Sequence, residues 1–479
     1  MFIRLPAVGD DWLTSYAPGI TQTTKHCSPI DGSLIQNVAL AGRAQLDLIF
    51  EERGPNRRPT ILELKLLLSS LSEMIHDMRE ALIEAIQLET GFNTNDASEL
   101  VDDTTRFLRD FLPPQTDFPT SLQQTYHANG QYRATLLRAV PWGTVAVVLP
   151  QNAFLLVAAT CMANALATGN RIILRAPLQS SRTALILETA VMETMNLSRL
   201  IHFPLCRSLD FLTSAYASES PLLIHYMGGS QHAPDLMAKA FGQGKHTIID
   251  GQGNCWCYVD ETADPDFAAV TLCTGSTRFN GQTCTSINGA VIHPAIYDRV
   301  RSRLLELMAK LKVGDPRKVE SAVGPLFSAS QATHCASSVS ESGGTVLVGG
   351  GTDECYFEPT LVEEPHRDSQ LVSDGIFGCC LWISTGTRSD FTSRWGTNKY
   401  PLCAAIIGEN MQPVEWASDL ANVARLTINA DPTVEDPFAP WGGYPASGVN
   451  PVTDVFAKYQ RVVQVDIPAP EQVFARVPA

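Results

Sequence analysis

Phe279-Asn280-Gly281-Gln282-Thr283-Cys284-Thr285-Ser286 is the stretch on which the rest of the chain turns. A cysteine stands among small and polar residues, after a helical run and before the strand-like Ala290-Val291-Ile292. Such a turn lets backbone approach a substrate. A thiolate is a strong nucleophile near neutral pH where its surroundings favour the charge. A cysteine in a polar turn is by itself usually inert, so the flanking segments decide the reading.

N-terminal to this stretch, strands and helices alternate. Val145–Leu149 is a short valine-rich strand, Ala153–Ala167 a helix stopped by Gly169, Arg171–Arg175 a second strand and Thr183–Met195 a second helix. Leu200–Phe203, Leu222–His225 and Thr247–Ile249 continue the series. Repeated β-α-β units predict an α/β fold with a parallel sheet covered by helices on both faces, its ligands bound at the carboxyl ends of the strands. Two features lie at such ends. Pro150-Gln151-Asn152 follows the first strand, and Asn152 is placed to cap the helix at Ala153, to reach into a cleft, or both. Gly228-Gly229-Ser230 can turn backbone N–H groups toward a phosphate, although the same tripeptide also makes an ordinary turn. The G-x-G-x-x-G fingerprint is absent.

Nearer the cysteine, Gly251-Gln252-Gly253-Asn254 is a loop and Asp264–Phe279 a helix. Ala295–Leu311 is an amphipathic helix ended by Val313-Gly314-Asp315-Pro316, and a second α/β unit runs to about Asn429. Pro440-Trp441-Gly442-Gly443-Tyr444 and a closing strand at Val462–Val465 follow. In the first hundred residues, Leu64, Leu67, Leu68, Leu71, Ile75, Met78, Leu82 and Ile86 mark one face of a long helix, with Gly91 as its stop. Asp96 with Glu99 suggests a capping box opening a further helix that ends at Pro113-Pro114. Asn129-Gly130 between strand-like runs predicts a hairpin, suited to a subunit-contact arm.

A chain of 479 residues accommodates two or three domains. Its net charge of −15 argues against nucleic acid and anionic membrane as partners. Twelve unevenly spaced cysteines, without zinc spacing, read as reduced thiols of a cytoplasmic protein with no metal site. Met1–Trp12 lacks the apolar run of a signal peptide, and Ala153–Ala167 falls short of the roughly 20 residues of a membrane span.

Taken together, the motifs resemble those of the aldehyde dehydrogenase superfamily from about Cys27 to the closing strand. Cys27-Ser28-Pro29-Ile30-Asp31-Gly32, Leu88-Glu89-Thr90-Gly91, Pro141-Trp142-Gly143-Thr144-Val145 through Pro150-Gln151-Asn152, Asn280–Cys284, Ile376-Phe377-Gly378 and Pro440–Tyr444 occur in the family's order. The resemblance implies a nucleotide-binding domain (1–115 and 141–250), a catalytic domain (251–429) and an oligomerisation arm (116–140 and 445–479) in a homodimer or homotetramer. It implies Cys284 as the nucleophile toward an aldehyde and Asn152 as an oxyanion donor. Asp250 stands at the position of the general base. Pro150, Arg175, Gly228, Gly229, Ser230, Gly251, Asp374 and Phe377 are implied as contacts of NAD or NADP.

Four departures from the family's pattern bear on this. Asp250 replaces the usual base glutamate and is one methylene shorter, about 1.5 Å of reach. Gly375 replaces the glutamate before Ile-Phe-Gly, leaving Asp374 beside it. Arg175 replaces the ribose-binding lysine, and the acidic residue that often follows is Leu178 or Gln179, changes that suit a 2′-phosphate. Gly253-Asn254-Cys255 with Tyr258-Val259-Asp260 is similar to the gamma-glutamyl phosphate reductases, which do not hydrolyse their thioester. The expectation is NAD(P)-dependent oxidation of an aldehyde to an acid. An acylating, coenzyme A-dependent or acyl-reducing dehydrogenase is the second reading, and a degenerate binding or structural member the third.

Overall fold

The computed structural model describes residues 22–52, 58–112, 122–128, 131–194, 197–420, 422–439 and 457–465, with backbone alone for 122–128, 131–139 and 457–465. Among these residues five sheets form, and the three larger ones organise the chain. The first has five parallel strands in the order Ile201–His202, Arg171–Arg175, Thr144–Val148, Leu222–Met227, His246–Asp250. Strand order reverses beside Thr144–Val148. Every residue of Thr144–Val148 and Leu222–Met227 is buried, as expected of strands covered on both faces. On one face Val145, Val147 and Leu174 share a core with Ala158 of helix Phe154–Ala167 and with Leu64, Leu71 and Phe107 of the N-terminal helices. On the other, Ala146, Val148 and Ile224 pack with Phe50 and Phe211.

The second sheet has seven strands in the order Thr345–Val348, Thr360–Glu363, Cys380–Thr385, Ile287–Ile292, Cys255–Val259, Cys403–Ile407, Arg425–Ile428. All pair in parallel except the antiparallel edge Thr345–Val348. Its core carries Trp256 and Trp382 edge to face, ring centroids 5.2 Å apart. The third sheet is antiparallel, with Gln131–Pro141 between Leu122–Ala128 and Ala457–Val465. Ala128 pairs with Gln131, as a hairpin requires. Its turn, Asn129-Gly130, and the Pro440–Tyr444 motif lie outside the described residues.

Local structure corrects several boundaries. The apolar stripe from Leu64 to Ile86 is carried by two helices, Ile61–Asp77 and Arg79–Thr90, which part at Met78 (φ −97°, ψ 12°). Asn93, not Asp96, caps Thr94–Asp110: its side-chain oxygen accepts from the Asp96 N–H at 3.0 Å. The Asp96 carboxylate accepts from the Asn93 amide and makes a longer-range contact with the 279–286 stretch. Gly91 ends its helix in the left-handed region at φ +73°. The helices expected at 264–279, 295–311 and 183–195 run Pro265–Thr277, Tyr297–Met308 and Ser181–Glu193, and the strand expected at 200–203 is Ile201–His202.

Candidate active site

Helix Pro265–Thr277 gives way to a tight turn at Arg278–Gly281, where Phe279 (φ 52°), Asn280 (φ 55°) and Gly281 (φ 66°) are left-handed in succession. Asparagine and glycine tolerate that region, whereas phenylalanine is strained there. Surrounding contacts hold the turn. The Phe279 N–H donates to the Asp96 carboxylate at 3.0 Å. The buried Asn280 amide donates to the carbonyls of Gly91 (2.9 Å) and Pro325 (3.0 Å), and its oxygen accepts from the Gly324 N–H at 3.0 Å. The Gln282 side-chain oxygen accepts from the Phe327 N–H at 3.0 Å. The reversal sets Thr283–Thr285 just before strand Ile287–Ile292, at a cavity of about 650 Å³.

The cavity lies at the carboxyl ends of the first sheet's strands, where their order reverses, and at the amino ends of the second sheet's strands. Cys284, Asn152 and Asp250 all line it, as do Pro150, Gly228, Gly229, Gly251, Asp374 and Phe377. Helix Phe154–Ala167 begins without a side-chain cap, so Asn152 does not serve as one. The 250–253 loop is pressed onto Cys284: a Cβ at Gly253 would lie 1.9 Å from the Cys284 carbonyl oxygen.

Ser230 and Arg175 are not among the lining residues. Buried Ser230 instead accepts the Gln252 N–H at 2.8 Å and fastens the loop that follows Asp250. The Arg175 Nε donates to the Cys206 carbonyl at 3.1 Å. Asp374 reaches the wall but is held by Lys399 at 2.6 Å. Gly375 has a steric reason. At φ +71°, a Cβ there would come within 2.4 Å of Asn288 Oδ1 and 2.8 Å of Asn254 Oδ1, so no glutamate fits on this backbone.

Glu435 is the residue sequence reasoning missed. It comes from the segment after strand Arg425–Ile428, bonds to the Thr285 side chain and pairs with Arg425. Nothing in Thr433-Val434-Glu435-Asp436 marks it locally, because its partners are brought by distant strands. Burial, then the charges of Asp250 and Glu435, push the Cys284 thiol well above its ordinary range, with Arg425 in partial opposition. Burial, with Glu435 adding to it, pushes Asp250 up to about 8. Burial also raises Glu435, against Arg425 and Thr285. Burial thus favours the neutral thiol of Cys284 and the neutral carboxyl of Asp250.

The profile of the aldehyde dehydrogenase family matches residues 16–465. The chain belongs to the aldehyde dehydrogenase family. A 1-pyrroline-5-carboxylate dehydrogenase of Bacillus cytotoxicus is 25% identical over 336 residues, which are 65% of this chain and 63% of that relative. One from Bacillus thuringiensis is 28% identical over 213 residues, 43% of this chain and 41% of the relative. The chain thus spans less than two thirds of the length of these curated relatives. Among solved structures, an NAD-dependent aldehyde dehydrogenase of Sinorhizobium meliloti superposes with a TM-score of 0.84 at 21% identity, covering 94% of this chain and 93% of that one. A glyceraldehyde-3-phosphate dehydrogenase of Methanocaldococcus jannaschii, complexed with NADP, gives 0.80 at 20% identity, covering 93% and 100%. At these identities the structures speak for the aldehyde dehydrogenase fold. No helix among the described residues is long and apolar enough to cross a membrane.

Proposed function

We propose that this protein oxidises an aldehyde to a carboxylic acid with NAD or NADP. The observation that carries the reading is that the Cys284 thiol, the Asn152 amide and the Asp250 carboxyl line one cavity at the crevice where strand order reverses. That crevice suits a dinucleotide. Gly228 and Gly229 leave bare backbone there: a Cβ on either would collide with Tyr226 or Gln231. Pro150, Gly228, Gly229, Gly251 and Phe377 would hold the cofactor. When bound, it supplies a two-electron oxidant that accepts hydride.

The chain's own residues perform the rest. Cys284 loses its proton to a neighbouring carboxylate and its sulfur attacks the carbonyl carbon, forming a thiohemiacetal. The Asn152 amide and the Cys284 N–H stabilise the oxyanion, each such donor contributing roughly 3–4 kcal/mol. After oxidation the acyl group remains on sulfur as a thioester. Asp250 takes a proton from water, whose oxygen attacks that carbonyl, and Cys284 leaves as the acid is released. Residues 1–115 and 141–250 serve cofactor binding, and 251–429 serve chemistry. Residues 116–140 and 445–479 form a contact arm of a homodimer or homotetramer, whose mass sedimentation would report.

The test is a panel of aldehydes with both cofactors, following reduced nicotinamide, on the native protein and Cys284→Ala. Turnover that vanishes in the variant supports the reading, and equal turnover in both defeats it. Loss of the acidic residue near Leu178 favours NADP, an expectation that binding of NAD alone would end. The shorter reach of Asp250, whose carboxyl burial pushes up to about 8, favours a second reading, transfer of the acyl group to a thiol such as coenzyme A. Comparing acid release with acyl transfer separates the two. A degenerate member would show no cofactor binding and a Cys284 unreactive toward iodoacetamide.

A further inference from the structure

We propose that Arg425 is a positioning residue for the reaction at Cys284, acting through Glu435 to hold residues 432–435 against the nucleophile turn. The inference rests on the aldehyde-oxidising reading and adds to it a group that stands outside the cavity. Among the described lining residues there is no lysine and no arginine, so Arg425 acts from behind the wall. It opens strand Arg425–Ile428, where it pairs with Cys403, and its backbone N–H donates to the Leu402 carbonyl at 2.9 Å. Leu402 adjoins the nucleophile: a Cβ at Gly253 would lie 3.0 Å from Leu402 Cδ2 and 1.9 Å from the Cys284 carbonyl oxygen. The sheet thus fixes the root of the Arg425 side chain close to the site.

The guanidinium grips the segment after the strand at two points. One Nη donates to the Glu435 carboxylate and the other to the Pro432 carbonyl. Residues 429–439 form neither helix nor strand, so side-chain contacts decide where they lie. Thr433 and Glu435 of this segment line the cavity, and Glu435 accepts from the side chain of Thr285, the residue after Cys284. The path Arg425–Glu435–Thr285 therefore ends one peptide bond from the nucleophile. Arg278 holds the same segment independently, through Thr433 Oγ1 at 3.1 Å, so losing Arg425 loosens one end of it rather than freeing the whole. Arg425 and Glu435 are both half-buried, and water screens the pair only in part. The Arg425 charge also opposes the carboxylates that raise the Cys284 thiol. Lysine can replace that charge but not the fork, which reaches a carboxylate and a carbonyl at once.

The test uses the full-length protein, its Arg425→Gln, Arg425→Lys and Glu435→Gln variants, and the double variant Arg425→Gln/Glu435→Gln. Two quantities are read: the pH dependence of Cys284 alkylation by iodoacetamide, and kcat and KM for the fastest aldehyde of the panel. Arg425→Gln should move the alkylation curve to higher pH, opposite to Glu435→Gln. It should lower kcat by about tenfold or more, with KM changed by less than about threefold, because Arg425 does not touch the cavity. Arg425→Lys should restore the alkylation curve, which follows charge, but not kcat, which follows the fork. In the Glu435→Gln background, Arg425→Gln should lower kcat by less than about twofold, since the path is already cut. A role confined to stability would lower kcat without moving the alkylation curve. An unmoved curve in Arg425→Gln, or equal falls in kcat in both backgrounds, overturns this inference and leaves aldehyde oxidation standing. No Cys284-dependent oxidation by the native protein overturns both.

Discussion

At the scale of the residue, the proposed chemistry depends on the Cys284 thiol and on the carboxyl groups of Asp250 and Glu435, which line the same cavity. Sequence put Asp250 forward as a shortened candidate base, and the structure adds Glu435 beside Thr285. Asp250 is raised to about 8, so it can take a proton from water only as pH rises through that value. Acid release should therefore climb with pH around 8. Glu435→Gln removes one of the two causes, so the climb should move to lower pH, and alkylation of Cys284 by iodoacetamide at a fixed pH should quicken. A rate that is flat between pH 7 and 9 would defeat the assignment. Asp250→Asn should slow acid release by roughly 10²–10⁴-fold while Cys284 stays alkylatable.

At the scale of the element, the turn at 278–281 is a left-handed reversal held by three bonds to the Asn280 side chain. Asn280→Ala removes all three and leaves alanine in an unfavourable conformation. At about 0.5–1.5 kcal/mol per bond, the loss should be roughly 2–4 kcal/mol, read from the urea midpoint at constant m-value. A loss below about 0.5 kcal/mol would mean that the turn holds itself. Gly253→Ala should force its loop off the Cys284 carbonyl, costing about 1–3 kcal/mol and most of the turnover. Sequence made the turn partly legible, since Asn-Gly is a turn signal whatever surrounds it. It did not reveal the break at Met78, because the apolar stripe continues across it.

At the scale of the whole molecule, buried Glu89 joins helices Arg79–Thr90 and Ser181–Glu193. Its carboxylate accepts from the N–H groups of Arg182 (2.6 Å) and Thr183 (3.1 Å) at the start of helix Ser181–Glu193, and from the Thr183 hydroxyl. Glu89→Ala strands those donors and should cost about 2–4 kcal/mol in urea unfolding, with Glu89→Gln recovering part of it. Arg278 bridges Glu99 of helix Thr94–Asp110 to Thr433 and Asp431, which follow strand Arg425–Ile428. Family motifs drew attention to Leu88-Glu89-Thr90-Gly91 as a helix end, but only packing reveals that its glutamate caps a different helix.

Sequence by itself determined the alternation of strands and helices, the two α/β units and a reactive-type cysteine in a turn, because periodicity and turn chemistry are properties of neighbours along the chain. It also brought Asn152 and Asp250 forward through the order of the motifs. Only the tertiary structure decided that Glu435, Glu99 and Asp103 share the cavity wall with Cys284, that Gly375 has no room for a side chain, and that Asn152 is no cap. Proton affinity and steric room depend on what lies nearby in space, and residues far apart in the chain become neighbours only when the two sheets meet.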